Sequence, residues 1–176
     1  MKELLVVRHT SVDVPQGICY GGTDVPLQPT FAEEAELVRQ RLEGYTPDRV
    51  LSSPLSRATR LANAIGYPEV DTDERLREQH FGAWEMKAYD EIEDPQLLRW
   101  YEDYVYERPT DGESFAEVVD RVGSLLEELK VSNHEKILIF AHGGIQMAVG
   151  AYLGLYELID APQHFQGYGS VMKYQL

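Results

Sequence analysis

Two stretches of the chain are apolar without a break: Leu4-Leu5-Val6-Val7 and Ile137-Leu138-Ile139-Phe140-Ala141. A strand with one wet face alternates apolar and polar residues. An unbroken run belongs to a strand covered on both faces, as in a parallel sheet held between layers of helices. Val50-Leu51 is a shorter candidate of the same kind, and Ser170 to Leu176 alternates loosely, as an edge strand does. Helical spacing fills the intervals. Phe31, Ala35, Val38 and Leu42 recur at i, i+4, i+7 and i+11, with Thr30 and Glu33 at capping-box separation ahead and Gly44 behind. Ser53-Pro54 has the form of an N-cap followed by proline at the first helical position, and Gly66 would stop that helix. Phe115, Val118, Val119, Val122, Leu125, Leu126 and Leu129 make the clearest stripe, opened by Ser114 and Glu117. This order predicts an α/β chain, a three-layer αβα sandwich with a mostly parallel central sheet. Residues 67–110 are rich in Tyr and Trp and lack periodicity, so we expect an excursion there, a lid or cap over one end of the sheet.

No repeat or linker divides the 176 residues, and at roughly 150 residues per domain a single domain over 1–176 is expected. Asp and Glu outnumber Lys and Arg by 30 to 16, a formal charge of −14. That balance argues against nucleic acid and anionic membrane as partners, because both need a basic face. Cys19 is the one cysteine, so neither an intrachain disulfide nor a cysteine-based zinc site can form. The five histidines are scattered, and neither a metal nor a cofactor is expected. The N-terminal apolar run, Leu4 to Val7, is too short for a signal peptide or a membrane span, which predicts a cytoplasmic protein. Nothing in the composition decides its oligomeric state. Eleven of the sixteen basic residues are arginine, the planar, bidentate partner of phosphate and carboxylate.

In open α/β sheets, ligands bind beyond the carboxyl ends of the strands. The first strand runs into Arg8-His9-Thr10. The short one runs into Ser52-Ser53-Pro54 and a helix carrying Arg57 and Arg60, and the third runs into His142-Gly143-Gly144. Two histidines and several arginines thus share one sheet edge with helix N-termini, whose free N–H groups favour anions. Each has a plainer explanation taken singly: a loop histidine, helix capping for Ser53, a tight turn for Gly143-Gly144, a surface position for Arg57. Capping does not explain why Arg8-His9 and His142 occupy equivalent strand ends. Competing chemistries lack their motifs. There is no G-x-x-x-x-G-K-[ST] and no H-E-x-x-H. Cys19 has no arginine six residues on, and Gly112-Glu113-Ser114-Phe115-Ala116 misses G-x-S-x-G at its last position. Asp71-Thr72-Asp73 would suit a magnesium-dependent aspartyl phosphatase but does not follow a buried strand.

Five segments together resemble the histidine phosphatase superfamily, the phosphoglycerate-mutase-like proteins. Arg8-His9-Thr10 is similar to its R-H-G signature, and Gly21 to Leu27 (GGTDVPL) to G-x-x-D-x-P-L. Ser52 to Ala62 (SSPLSRATRLA) resembles S-S-P-L-x-R-[AT]-x-x-T-A. Leu76 to Glu85 (LREQHFGAWE) resembles L-x-E-x-x-F-G-x-W-E, and Ala141 to Gly144 resembles S-H-G-G. The order and spacing agree along nearly the whole chain. The resemblance implies that His9 takes the phosphoryl group, Arg8 and Arg57 hold its oxygens, His142 donates to the same group, and Glu78 protonates the leaving oxygen. It further implies that Thr10, Tyr20, Gly21 and Gly143 lie against the substrate. The chain departs from the pattern at Thr10, where the family has glycine, and at Pro15, where an asparagine is frequent. Its length and the stretch Trp100 to Ser114 most resemble members acting on α-ribazole 5′-phosphate in cobalamin biosynthesis. Phosphoglycerate mutases, and phosphatases of other small phosphate esters, are the alternatives.

These residue types suit such chemistry. A neutral imidazole meets a dianionic monoester better than a carboxylate would, and neighbouring arginines should keep its pKa low. Fixed donors can meet the charge that spreads over the equatorial oxygens without a metal. An alkoxide leaves poorly unless an acid supplies a proton, which requires Glu78 to hold one. His80, His134 and His164 fall outside the motifs. The Tyr and Trp cluster from Trp84 to Tyr106 can pack a core or stack on an aromatic substrate. If Trp100, Tyr101 and Tyr104 lie on one helix, at most two of them face the same way.

Overall fold

The computed structural model describes all residues, 1–176. Five strands form one sheet: β1 (Glu3–Arg8), β2 (Arg49–Ser52), β3 (Asp71–Thr72), β4 (Lys136–Ala141) and β5 (Val171–Gln175), in the order β3-β2-β4-β1-β5. β1, β2, β3 and β4 run parallel, with Val6 beside Ile139 and Leu51 beside Ile139 on the other side. β5 closes the edge antiparallel to β1, with Met172 beside Val6. The unbroken apolar runs divide between the two faces, as their period of two requires. Leu5, Val7, Leu138 and Phe140 pack on one face against α1 (Phe31–Arg41) and α2 (Ser56–Ala64). Leu4, Val6, Ile137 and Ile139 pack on the other, beneath α4 (Phe115–Val131) and α5 (Gly143–Tyr152). The expected αβα sandwich is therefore present. No helix is long and apolar enough to cross a membrane.

Helix α4 begins with the expected capping box: Ser114 Oγ accepts from Glu117 N–H, and the Glu117 carboxylate accepts from Ser114 N–H. Two other helix starts differ from expectation. Thr30 and Glu33 form no box. Thr30 instead donates to Glu34, whose carboxylate also takes the N–H and hydroxyl of Ser11 and so ties α1 to the loop after β1. Ser53 does not cap α2, which starts at Ser56 after Leu55. Its hydroxyl is engaged 2.7 Å from His142 Nε2. Gly66 does end that region, at φ +115°.

The 67–110 segment opens with an unexpected strand, β3. Asp71 pairs with Arg49 at the surface and Asp73 caps a 3₁₀ turn through Arg75 N–H, so the D-x-D is structural. Two further 3₁₀ turns and α3 (Gln96–Glu102) follow. Trp100 and Tyr101 lie on α3, and Tyr104 lies beyond its end. Trp84 is buried with Cys19 and Leu97, its indole N–H donating to Asp94, and Trp100 meets it edge-on.

Candidate active site

The order β2-β4-β1 sets three carboxyl ends side by side. The ladder continues past them: His9 N–H donates to the Ala141 carbonyl and Ser53 N–H to that of Phe140. His9 and His142 consequently meet edge-to-face, ring centroids 5.3 Å apart. His9 Nδ1 lies 2.7 Å from the Thr10 carbonyl. A carbonyl only accepts, so Nδ1 carries the proton and Nε2 is left with a free lone pair. Burial, then the Arg57 guanidinium, with Arg8 adding to it, bring the His9 imidazole down to about 3 against the opposing Thr10 bond. His142 is wholly buried, and burial followed by Arg57 holds it well below the usual histidine range.

Both arginines are buried cations without a carboxylate in ion-pair contact. Arg57 donates to the carbonyls of Thr23 (2.8 Å) and Gly21 (2.5 Å), and burial lowers its affinity for its proton. The loop bearing those carbonyls is held in turn by Glu85, which accepts from Gly21, Gly22 and Thr23. Arg8 lies between Phe165 and Tyr168, 4.5 and 4.1 Å from the ring centroids, and donates to the Gln166 carbonyl. Stacking of this kind orients a guanidinium without neutralising it. Only five buried side-chain polar atoms lack a partner, and four are here: Arg8 Nε, Arg57 Nε, Thr10 Oγ1 and His142 Nδ1. Buried polar groups are normally satisfied. This local deficit of partners, beside two guanidinium groups that form no ion pair, suits the site to receive an anion.

Glu78 reaches the site from the loop after β3. Its carboxylate accepts from the N–H groups of Gln79 and of Gly144 in the first turn of α5, each at 3.0 Å. A Cβ on Gly144 would overlap that carboxylate, and one on Gly143 would overlap the Phe165 ring beside Arg8. The glycine pair is therefore needed for close approach. Arg8, His9, Tyr20, Glu78 and Gly144 line a cavity of about 260 Å³. Arg57, Thr10 and His142 are buried and do not line it, although each carries a polar atom without a partner, and Thr10 was expected against the substrate. Gly21 and Gly143, expected against the substrate, do not line it: Gly21 spends its N–H on Glu85 and its carbonyl on Arg57. Tyr20 does line it, its hydroxyl 3.2 Å from that of Tyr168. Four residues of the site carry no functional signal in the sequence. Phe165 and Tyr168 had no local signal. Gln79 lies inside a recognised motif at a variable position, and Ser53 was legible only as a cap. His80, His134 and His164 stay outside the cavity: His80 accepts from Gly82 N–H, His134 faces Asp48, and His164 stacks on Tyr156.

Buried arginines, a neutral imidazole and a carboxylate thus meet beyond the carboxyl ends of a parallel sheet. The chain belongs to the histidine phosphatase superfamily, branch 1, whose family model matches residues 4–176. It is a phosphoric monoester hydrolase with the phosphoglycerate-mutase-like α/β fold. It is 30% identical over 173 residues to the adenosylcobalamin/alpha-ribazole phosphatase of Escherichia coli, covering 93% of this chain and 84% of that protein. It is also 30% identical over 171 residues to the glucosyl-3-phosphoglycerate phosphatase of Mycolicibacterium vanbaalenii, covering 88% and 76%. The crystal structure of the alpha-ribazole phosphatase from Shigella flexneri superposes with a TM-score of 0.87 at 25% identity, covering 97% of this chain and 89% of that one.

Proposed function

We propose that the chain is a metal-independent phosphomonoesterase that works through a phosphohistidine, with α-ribazole 5′-phosphate as its substrate in cobalamin biosynthesis. The observation that carries the chemistry is the set of four unpartnered buried polar atoms around neutral His9. In the proposed reaction, His9 Nε2 attacks phosphorus and the ester P–O bond breaks. Arg8, Arg57, Thr10 and His142 meet the equatorial oxygens. His142 serves in its Nδ1–H tautomer, with Nε2 accepting from Ser53. Glu78 gives its proton to the departing alkoxide. Water then attacks the phosphohistidine, Glu78 takes a proton back, and the P–N bond breaks to release phosphate and neutral His9.

The substrate half rests on a second chamber. A cavity of about 390 Å³, lined by Phe81, Trp100, Tyr104 and Phe115 among others, adjoins the first and shares Gln79, Phe81 and Met147 with it. We assign the 67–110 excursion, which supplies three of those rings, as the cap over the site. An aromatic base suits these walls. A phosphoglycerate does not, because no lysine, arginine or histidine lines the chamber to meet its carboxylate.

The test is rapid quenching with substrate, followed by a search for an acid-labile, base-stable phosphoenzyme. His9→Ala should abolish it and cut turnover by at least about 10³-fold, and EDTA should change nothing. Near-native turnover by His9→Ala would remove the nucleophile assignment. A higher kcat/KM for phosphoserine, phosphoglycerate or glucosyl-3-phosphoglycerate than for α-ribazole 5′-phosphate would remove the substrate assignment.

A further inference from the structure

Gln79 sits where the two chambers join, and three anchors hold it. Its backbone N–H is 3.0 Å from Glu78 Oε1. Its backbone carbonyl packs so closely on Gly21 that no Cβ would fit between them. Its side-chain Nε2 donates to the Glu113 carbonyl at 2.9 Å. Glu113 is itself fixed, its carboxylate paired with Arg121 and accepting from His80 N–H. Because a backbone carbonyl only accepts, the amide must present its nitrogen there. Oε1 is then the free end of a nearly buried, immobilised side chain. Phe81 and Met147, the other residues common to both chambers, have no hydrogen-bonding side chain of comparable strength. Within the apolar chamber, the Tyr104 hydroxyl is committed to the Ile159 carbonyl, and Trp100 offers only a donor. Gln79 Oε1 is thus a pre-placed acceptor one residue from the group that faces the leaving oxygen.

We infer that Gln79 is a specificity-determining residue: Oε1 accepts a hydrogen bond from a hydroxyl on the leaving alcohol. The preferred substrates are monoesters of polyhydroxylated alcohols that also carry an apolar ring. The inference rests on the phosphatase reading above and deepens it. A fixed acceptor discriminates strongly because the analogue lacking the donor leaves it unpaired. Oε1 is not fully sealed from water, so the discrimination should be moderate.

The experiment compares adenosine 5′-monophosphate with its 2′,3′-dideoxy analogue, by kcat and KM separately, in wild type, Gln79→Met and Gln79→Glu. Wild type should prefer the hydroxylated ester by about tenfold or more in kcat/KM. Gln79→Met, similar in volume but without an acceptor, should bring the ratio within about twofold. Gln79→Glu cannot donate to the Glu113 carbonyl, so its oxygen is no longer held in place and the preference should fall as it does in Gln79→Met. If Gln79→Met does not fold, the wild-type and Gln79→Glu ratios still decide. A wild-type ratio near one, or a Gln79→Met ratio equal to wild type, overturns the inference. Turnover of p-nitrophenyl phosphate with neither nucleotide turned over also overturns it and leaves the phosphatase reading standing. Absence of phosphate release from every ester defeats that reading instead.

Discussion

Replacing His9 by asparagine should make the protein more resistant to acid while destroying its activity. The folded protein holds His9 neutral, through burial first and the Arg57 charge second, down to about pH 3, whereas the unfolded chain protonates it near 6.5. Between those values the unfolded state binds one more proton than the folded state. Stability is therefore complete above pH 6.5 and is lost as the pH falls toward 3, by about 1.4 kcal/mol per pH unit. The full gap amounts to about 5 kcal/mol, of which about 2 kcal/mol is lost by pH 5. His9→Asn does not titrate, and its amide can still donate to the Thr10 carbonyl. Urea unfolding at pH 7, 6, 5.5 and 5 gives ΔG for both proteins. Carboxylates and His142 contribute to both curves and largely cancel in the difference. The wild type should lose about 2 kcal/mol more than His9→Asn between pH 7 and 5. Parallel curves over that range would show that His9 is not held neutral, and the argument for a permanently available Nε2 would fall with it.

Gly144→Ala should push Glu78 off the first turn of α5, because the added methyl overlaps its carboxylate. Turnover of alkyl phosphates should fall by about 10²-fold or more, with a smaller loss on p-nitrophenyl phosphate, whose leaving group needs no proton. Equal losses on both would deny Glu78 the role of acid. Phe165→Ala removes one of the two rings flanking Arg8. Inorganic phosphate should then inhibit about two- to thirtyfold less well, the range a cation–π contact spans, as measured by competition assay. Ser114→Ala breaks the α4 capping box; denaturant unfolding should show a loss of about 1 kcal/mol, with kcat unchanged.

The fold was readable because its main signal is local. Leu4–Val7 and Ile137–Ala141 declare doubly covered strands by composition alone, and the β1, β2 and β4 ends follow from that. β3 was not readable. It is two exposed residues long, and pairing with β2 makes it a strand. Ser53 shows the limit of motif reasoning. Ser-Pro ahead of a helix has a sufficient local explanation, and Ser53 Oγ does accept from Leu55 N–H, but the same hydroxyl also meets His142, 89 residues away. Thr30 and Glu33 fail for a related reason, since Glu34 is drawn to Ser11 on a loop that local spacing cannot see. Phe165 and Tyr168 reach Arg8 across the whole chain, and such contacts leave no periodicity.

The same contrast separates chemistry from substrate. The proposed phosphate site is built from strand ends and the first turns of helices, where backbone geometry dictates position and short motifs therefore carry the information. Its buried, unpaired arginines would be a liability in a protein with no anion to receive, because burial of an uncompensated cation costs several kcal/mol. Their presence in a chain of net charge −14 means that the positive field is local. Surface carboxylates more than about 8 Å away are screened from it at physiological salt. That field attracts any phosphate monoester equally, so it cannot choose among them. In the reading proposed above, choice resides where the ester's other half lies, among Gln79, Trp100 and Tyr104. Those positions are set by the irregular 67–110 segment, whose course depends on tertiary packing and not on pattern. On the proposed reading, the segment least legible in the sequence is thus the one that decides which ester is hydrolysed.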